Sequence, residues 1–216
     1  MARYKPQDFY FKKAKRQKYV ARSVYKLEEI QKKYKIIKPG SRVLDLGCAP
    51  GSWLQYAEEK VGPKGIVVGV DQKELKREFG PRVYFLKEDV YELDPSRLKQ
   101  YVPVFDVVLS DMAPATTGIG FVDSTRSVYL AERALEIAIA VLKKGGFFLC
   151  KVFEGEDFPS FLKRYRGAFE RVKIIKPKAS RKDSREIYLL GMGKKGQPSW
   201  KKEEDTPCQD IQSGAR

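Results

Sequence analysis

The 216-residue sequence predicts an α/β protein, a seven-stranded, mostly parallel sheet with one antiparallel strand and helices on both faces. Three observations carry that expectation. Short apolar runs rich in Val, Ile, Leu and Phe alternate with stretches of helical periodicity, the pattern of a sheet buried on both sides. Several runs end at acidic residues, Asp71, Asp89 and Asp111, at the strand ends where such sheets collect their ligands. The last two runs are joined only by a basic loop with no room for a crossover helix, so they should pair antiparallel.

From Ser23 onward, Val24, Leu27, Ile30 and Tyr34 recur at helical spacing until Lys38-Pro39-Gly40 stops the pattern, which gives a basic amphipathic helix. Residues 42–46 read as a buried strand that runs into Gly47-Cys48-Ala49-Pro50-Gly51-Ser52, with a helix over 53–60. Strands are expected over 65–70, 82–86 and 105–109. A long helix follows from about 123 to 144, stopped by Gly145-Gly146, and then a strand over 147–152. Residues 158–168 look helical, and 172–175 and 187–190 are the closing strands. Beyond Met192 almost nothing apolar remains to bury, so residues 194–216 are expected to be a disordered tail.

The chain carries 43 Lys and Arg against 28 Asp and Glu, a net charge of +15, and no histidine. The missing imidazole excludes a Ser-His-Asp triad, an HExxH zinc site and any histidine general base. The positive charge is segregated. Residues 1–40 hold 13 basic and 3 acidic side chains and residues 163–185 hold 10 and 2, whereas 41–162 are slightly acidic. Solubility alone does not require two basic flanks around a near-neutral centre. Aromatics interleaved with the first flank, among them Phe9, Tyr10, Phe11, Tyr19 and Tyr25, fit bases stacking between phosphate-binding charges, so RNA is the expected partner. An anionic membrane would need a strongly apolar helix face, which this flank lacks.

Cys48, Cys150 and Cys208 are odd in number and in no CxxC spacing, which argues against a disulfide framework and against a metal site. With no apolar stretch long enough to span a bilayer and no N-terminal h-region, the chain reads as cytoplasmic, and it is taken as a monomer.

The informative cluster stands at the carboxyl ends of the strands: Asp45, Gly47 and Gly51, then Asp71, Asp89, Asp111 and Lys151. An acid about 20 residues after a glycine loop can accept both hydroxyls of a ribose. A nicotinamide dinucleotide is a poor match, because an acid enters the loop and Pro50 removes an N–H donor that a pyrophosphate would use. A cationic or zwitterionic nucleoside suits the loop better.

Asp-Leu-Gly-Cys-Ala-Pro-Gly-Ser-Trp at 45–53, Ser-Asp-Met-Ala-Pro at 110–114, Lys-Val-Phe at 151–153 and Ser-Arg-Glu-Ile-Tyr at 184–188 resemble the FtsJ/RrmJ family of S-adenosylmethionine-dependent RNA ribose 2′-O-methyltransferases, in order and in spacing over about residues 7–193. The resemblance implies a Rossmann-like class I methyltransferase fold over 41–193, with 1–40 as an arm and helix of the RNA-binding surface. It implies that S-adenosyl-L-methionine is bound by Gly47, Gly51, Trp53, Asp71, Asp89 and Asp111, and that Lys26, Asp111, Lys151 and Glu186 form the catalytic set. It further implies a uridine of large-subunit ribosomal RNA as the substrate. A tRNA anticodon-loop methyltransferase shares the same motifs, and a non-catalytic ribosome-assembly factor could retain the fold.

A ribose 2′-hydroxyl is a poor nucleophile until its proton leaves, so the site needs a base and close positioning. Without histidine, a lysine must supply that base. An unperturbed lysine with a pKa near 10.4 is neutral at pH 7 in only about one molecule in a few thousand, so its surroundings must favour the neutral form. Lys151, set at the mouth of a buried strand between Phe147-Phe148-Leu149-Cys150 and Val152-Phe153, is the expected base. Asp111 would orient it, and Lys26 and Glu186 would position the ribose.

Overall fold

The computed structural model describes residues 6–181 and 184–196. Its helices are α1 (Pro6–Arg16), α2 (Val24–Tyr34), α3 (Ser52–Val61), α4 (Gly120–Val141) and α5 (Phe158–Ala168). Its strands are β1 (Arg42–Leu46), β2 (Ile66–Asp71), β3 (Val83–Lys87), β4 (Phe105–Ser110), β5 (Leu142–Phe153), β6 (Phe169–Ile175) and β7 (Glu186–Lys194). They form one sheet in the order β3-β2-β1-β4-β5-β7-β6. The first five strands run parallel, and β7 lies antiparallel between β5 and β6. This is the Rossmann-like fold the sequence predicts, antiparallel pairing included.

Strands β1, β2 and β4 are buried along most of their length because the sheet is covered on both faces. One apolar cluster joins Leu44, Val68 and Val108 to α4 and α5, and the other joins Val43, Val67 and Leu109 to α2 and α3. Alternate residues of each strand serve opposite clusters, as the period of two requires. On the first face, the buried Tyr165 hydroxyl of α5 lies 2.7 Å from the Phe148 carbonyl and accepts the Gly191 N–H at 3.1 Å, locking α5 over the β5–β7 seam.

Two boundaries differ from the expectation. Helix α1 forms over a segment read only as a basic arm, with Ala14 buried in the same cluster as Val24, Leu27 and Ile30. Helix α4 ends at Val141 and the chain becomes extended at Leu142, because Leu142 already pairs with Phe105 of β4 and the Gly145-Gly146 stop falls inside the strand. A register shift between Phe105 and Val107 absorbs the extra length, as a bulge does. Most of the tail expected over 194–216 lies outside the described residues, as does Cys208, and β7 runs to Lys194. Cys48 and Cys150 are free thiols in the core. Among the described residues no helix is long and apolar enough to cross a membrane.

The two basic flanks meet in space. Arg22 donates to the Ala179 carbonyl at 2.8 Å, and Lys178 N donates to Glu29 of α2 at 2.9 Å, so the basic β6–β7 loop rests on the N-terminal helices.

At the amino ends of β1 and β4, Asp106 accepts from Arg42 N, Nε and Nη2 at 2.8, 3.0 and 3.1 Å and pairs with Lys143 at 2.6 Å. Burial alone would raise its pKa, but the Arg42 and Lys143 hydrogen bonds outweigh burial and hold it well below the ordinary carboxylate range. A depressed folded-state pKa gives stability that is present above the unfolded value near 3.9 and is lost as pH falls toward the folded one. Asp106→Asn is therefore expected to cost about 1–2 kcal/mol in denaturant titrations at pH 7, after allowance for partial exposure. That gap should close below about pH 4. A difference that stays constant into acid would show that shape rather than charge holds this corner.

Candidate active site

Strand β1 delivers the chain into the loop 47–51, where Gly47 and Gly51 both take positive φ, +73° and +109°. A Cβ on Gly47 would stand 2.3 Å from Met112 Cγ, so only glycine lets this loop lie against the segment leaving β4. Asp71, at the end of β2, fixes the loop from the other side. One of its oxygens accepts Ala49 N at 2.9 Å and the other accepts Lys73 N at 2.8 Å. Between the ends of β1, β2, β3 and β4 opens a cleft of about 510 Å³ lined by Gly47, Asp71, Asp89 and Asp111 among others. It sits where the strand order reverses from β1 toward β4, the position at which open α/β sheets bind ligands.

Behind the cleft, Asp45 is fully buried and neither carboxylate oxygen has a hydrogen-bond partner among the described residues. Burial, then Asp111, then Asp71 push its pKa well above the ordinary value. Asp71 accepts loop N–H groups as a strand-end acid can, but Asp45 does not. Acids thus crowd along and behind this cleft.

On the far side of β4 the predicted catalytic residues converge. Lys151 of β5 is 8% exposed, and its ammonium donates to the Asp111 carbonyl at 2.5 Å and pairs with Asp111 Oδ1 at 3.0 Å. Tyr188 stands directly opposite Lys151 in the β5–β7 register, and its hydroxyl donates to the same Oδ1 at 2.5 Å. Two residues before Tyr188, and so on the same face of β7, Glu186 pairs with Lys26 of α2 at 2.6 Å. The Lys26 ammonium lies 5.7 Å from the centroid of the Tyr188 ring. Burial first, then Asp111 and Glu186, raise the Tyr188 phenol well above its usual pKa, so it stays a protonated donor.

The structure thus brings Lys26, Asp111, Lys151 and Glu186 into one cluster and places Gly47, Asp71, Asp89 and Asp111 on the cleft. Gly51 and Trp53 are not among the cleft residues. A Cβ on Gly51 would meet the Phe79 ring at 3.0 Å, so its small size serves packing beside the loop. Trp53 is 2% exposed and turns toward α2, where its Nε1 donates to the Ser23 carbonyl at 3.0 Å. The Trp53 indole thus packs between α3 and α2. Tyr188 is the member that sequence reasoning missed, although its spacing from Glu186 on a strand was the signal for it. Chemically, the cluster offers two lysine–carboxylate pairs, Lys151 with Asp111 and Lys26 with Glu186, and a phenol that donates to the first.

Comparisons with known proteins identify the family of the chain. The model of the family described as FtsJ-like methyltransferase matches residues 19–194. A protein of Syntrophobacter fumaroxidans named ribosomal RNA large subunit methyltransferase E is 54% identical over 191 residues, which cover 88% of this chain and 96% of the relative. A protein of the same name from Desulfosudis oleivorans is 51% identical over 191 residues, 88% of this chain and 92% of the relative. Among solved structures, a Plasmodium falciparum chain described as a ribosomal RNA methyltransferase superposes with a TM-score of 0.74 at 28% identity, covering 83% of this chain and all of that one.

Proposed function

The chain belongs to the FtsJ-like methyltransferase family, and from that premise we propose that it transfers methyl from S-adenosyl-L-methionine to a ribose 2′-oxygen of a uridine in large-subunit ribosomal RNA. The observation that carries the reading is the Lys151–Asp111–Tyr188 cluster standing beside a cleft lined by acids. The two curated relatives named above point to the ribosomal substrate.

The cleft fits this cofactor. The unpartnered Asp45 carboxyl and the acids Asp71 and Asp111 suit a ligand carrying a sulfonium and an ammonium. Asp71 would hold the ribose hydroxyls and Asp89 would lie beside the adenine, with Asp111 near the methionine end. When bound, S-adenosylmethionine would supply an electrophilic methyl group on a sulfonium, the demethylated product being a neutral thioether.

In the chain itself, Lys151 acts as the neutral amine. Its two N–H groups go to the Asp111 carbonyl and Oδ1, which leaves the nitrogen lone pair free to accept the ribose 2′-proton. Asp111 sets that orientation, and the Tyr188 donor steadies Asp111. Lys26 and Glu186, paired in the same wall, position the ribose. The converging basic flanks hold the RNA backbone.

The deciding experiment incubates the protein with labelled S-adenosylmethionine and, separately, ribosomal subunits, free large-subunit RNA and tRNA, and then maps the labelled nucleotide. Label at a uridine ribose in large-subunit RNA is expected. Label in tRNA alone would move the substrate to the anticodon-loop reading, and no label in any pool would sink the catalytic one. Binding to the RNA should weaken by about 10³ between 50 and 200 mM salt if six phosphates are neutralised, whereas a small-molecule substrate predicts almost no such slope.

Asp45 supplies a separate check. A carboxyl whose folded pKa lies above its unfolded value costs stability at neutral pH, and that cost fades as pH falls toward the unfolded value near 3.9. Asp45→Asn is expected to raise the Tm of the ligand-free protein at pH 7 and to weaken cofactor binding. It should also flatten the rise of affinity with pH, because a bound cation favours the ionised acid and releases its proton. Calorimetric titration at several pH values measures this, and unchanged affinity and Tm would remove Asp45 from the site.

A further inference from the structure

We infer that Trp53 is a positioning residue for methyl transfer, fixing Lys26 through the Ser23 carbonyl at its backbone and through the Tyr188 ring at its ammonium. This rests on the reading of Lys26 given under the proposed function. The Ser23 carbonyl accepts two donors at 3.0 Å, the amide of Lys26 in the first turn of α2 and the indole Nε1 of Trp53. The indole is thus one shared acceptor away from the backbone that carries Lys26. At the other end of the side chain, the Trp53 and Tyr188 ring centroids are 5.9 Å apart, and the Tyr188 ring is the one over which the Lys26 ammonium lies at 5.7 Å. Ser52 Oγ and Ser23 Oγ, 2.8 Å apart, dock the first turns of α3 and α2 on each other beside the indole.

A single residue, Ser52, separates Trp53 from Gly51, the last residue of the glycine loop. The loop beside the cleft and the helix that carries Lys26 therefore meet at Trp53 and the adjoining Ser52–Ser23 contact. A lysine has a long, flexible stem, so where its ammonium rests depends on where its backbone starts and on what its head meets. Glu186 takes the head, and Trp53 sets the start. Displacement by about 1 Å at a reacting centre can cost a hundredfold in rate, so a junction of this kind acts on turnover from outside the lining of the cleft.

The test is a double-mutant cycle of Trp53→Phe with Lys26→Ala, read by single-turnover rate, cofactor Kd and Tm. Phenylalanine keeps a ring against Tyr188 and leaves the Ser23 carbonyl its bond from the Lys26 amide, so the N–H is the principal loss. Trp53→Phe is expected to slow methyl transfer about tenfold with cofactor Kd changed less than twofold, and to slow the Lys26→Ala protein less than twofold. An equal drop in both backgrounds, or a loss seen in cofactor Kd, would overturn the inference and leave Trp53 as core packing or loop support. Lys26→Ala at the wild-type rate would overturn the reading of Lys26 itself, and this result needs no Trp53 variant to recognise. Should Trp53→Phe fail to fold, Ser52→Ala loosens the same junction without opening the core. A two- to threefold slowing that vanishes in Lys26→Ala supports the coupling, and one that persists overturns it.

Discussion

Lys151→Met is expected to lower the single-turnover rate of methyl transfer by about 10³ at neutral pH while cofactor affinity stays within a few-fold of wild type. Methionine matches the lysine stem in length and removes only the basic head. The size of the effect follows from what that head does. Proton removal in the transition state contributes about 10²–10⁴, and with no histidine in the chain and Tyr188 held as a donor, no neighbour is placed to substitute for it. Lys151 is not among the residues lining the cleft, which is why binding should be spared. The wild-type rate should climb with pH on its acid limb, because the reacting form is the neutral amine, and Lys151→Met should lose that climb. Stopped-flow or quenched single turnovers from pH 6 to 10 measure both. A variant that keeps the slope would show that the base lies elsewhere.

Asp111→Asn is expected to lower the single-turnover rate of methyl transfer by about a hundredfold. The variant loses the aim of the base, because Asp111 Oδ1 collects both the Lys151 ammonium and the Tyr188 hydroxyl. A loss confined to cofactor Kd, with the single-turnover rate at saturating cofactor unchanged, would show that Asp111 acts on the cofactor alone. Asp111→Ala should go further and cost about 3 kcal/mol of stability, since it leaves a lysine that is 8% exposed without its counter-charge. Asp111 also raises the Asp45 pKa, so either variant should ease the ionisation of Asp45 behind the cleft.

Much of this architecture was legible because each strand writes its burial into its sequence. Runs such as residues 66–70 and 107–109 have no polar face, which only a sheet covered on both sides permits. Asp71, Asp89 and Asp111 were legible for the opposite reason, as acids where those runs stop. What stayed hidden depended on partners distant in sequence. The Gly145-Gly146 stop read as the end of a helix, yet Leu142 is drawn into the sheet by Phe105. Trp53 resembled a cofactor contact because it follows the glycine loop, and only the approach of α2, 30 residues earlier, shows that the indole turns away. Tyr188 carried no chemical flag of its own, since its importance lies in whom it meets across the strand pair.

The placement of β7 has a consequence for how the molecule comes into being. Ribosomes deliver this strand after both of its neighbours, yet it must slot between them, with β5 on one side and β6 on the other. A nascent chain that stops after Ile175 presents an open β5 edge and a β6 with no partner in the sheet, which is the kind of exposed pairing surface that recruits other chains. The same late strand brings Glu186 and Tyr188, while Lys26 has waited since the start of synthesis. Lys26 can meet Glu186 only when the sheet closes, so the cluster proposed as catalytic is the last part of the molecule to assemble.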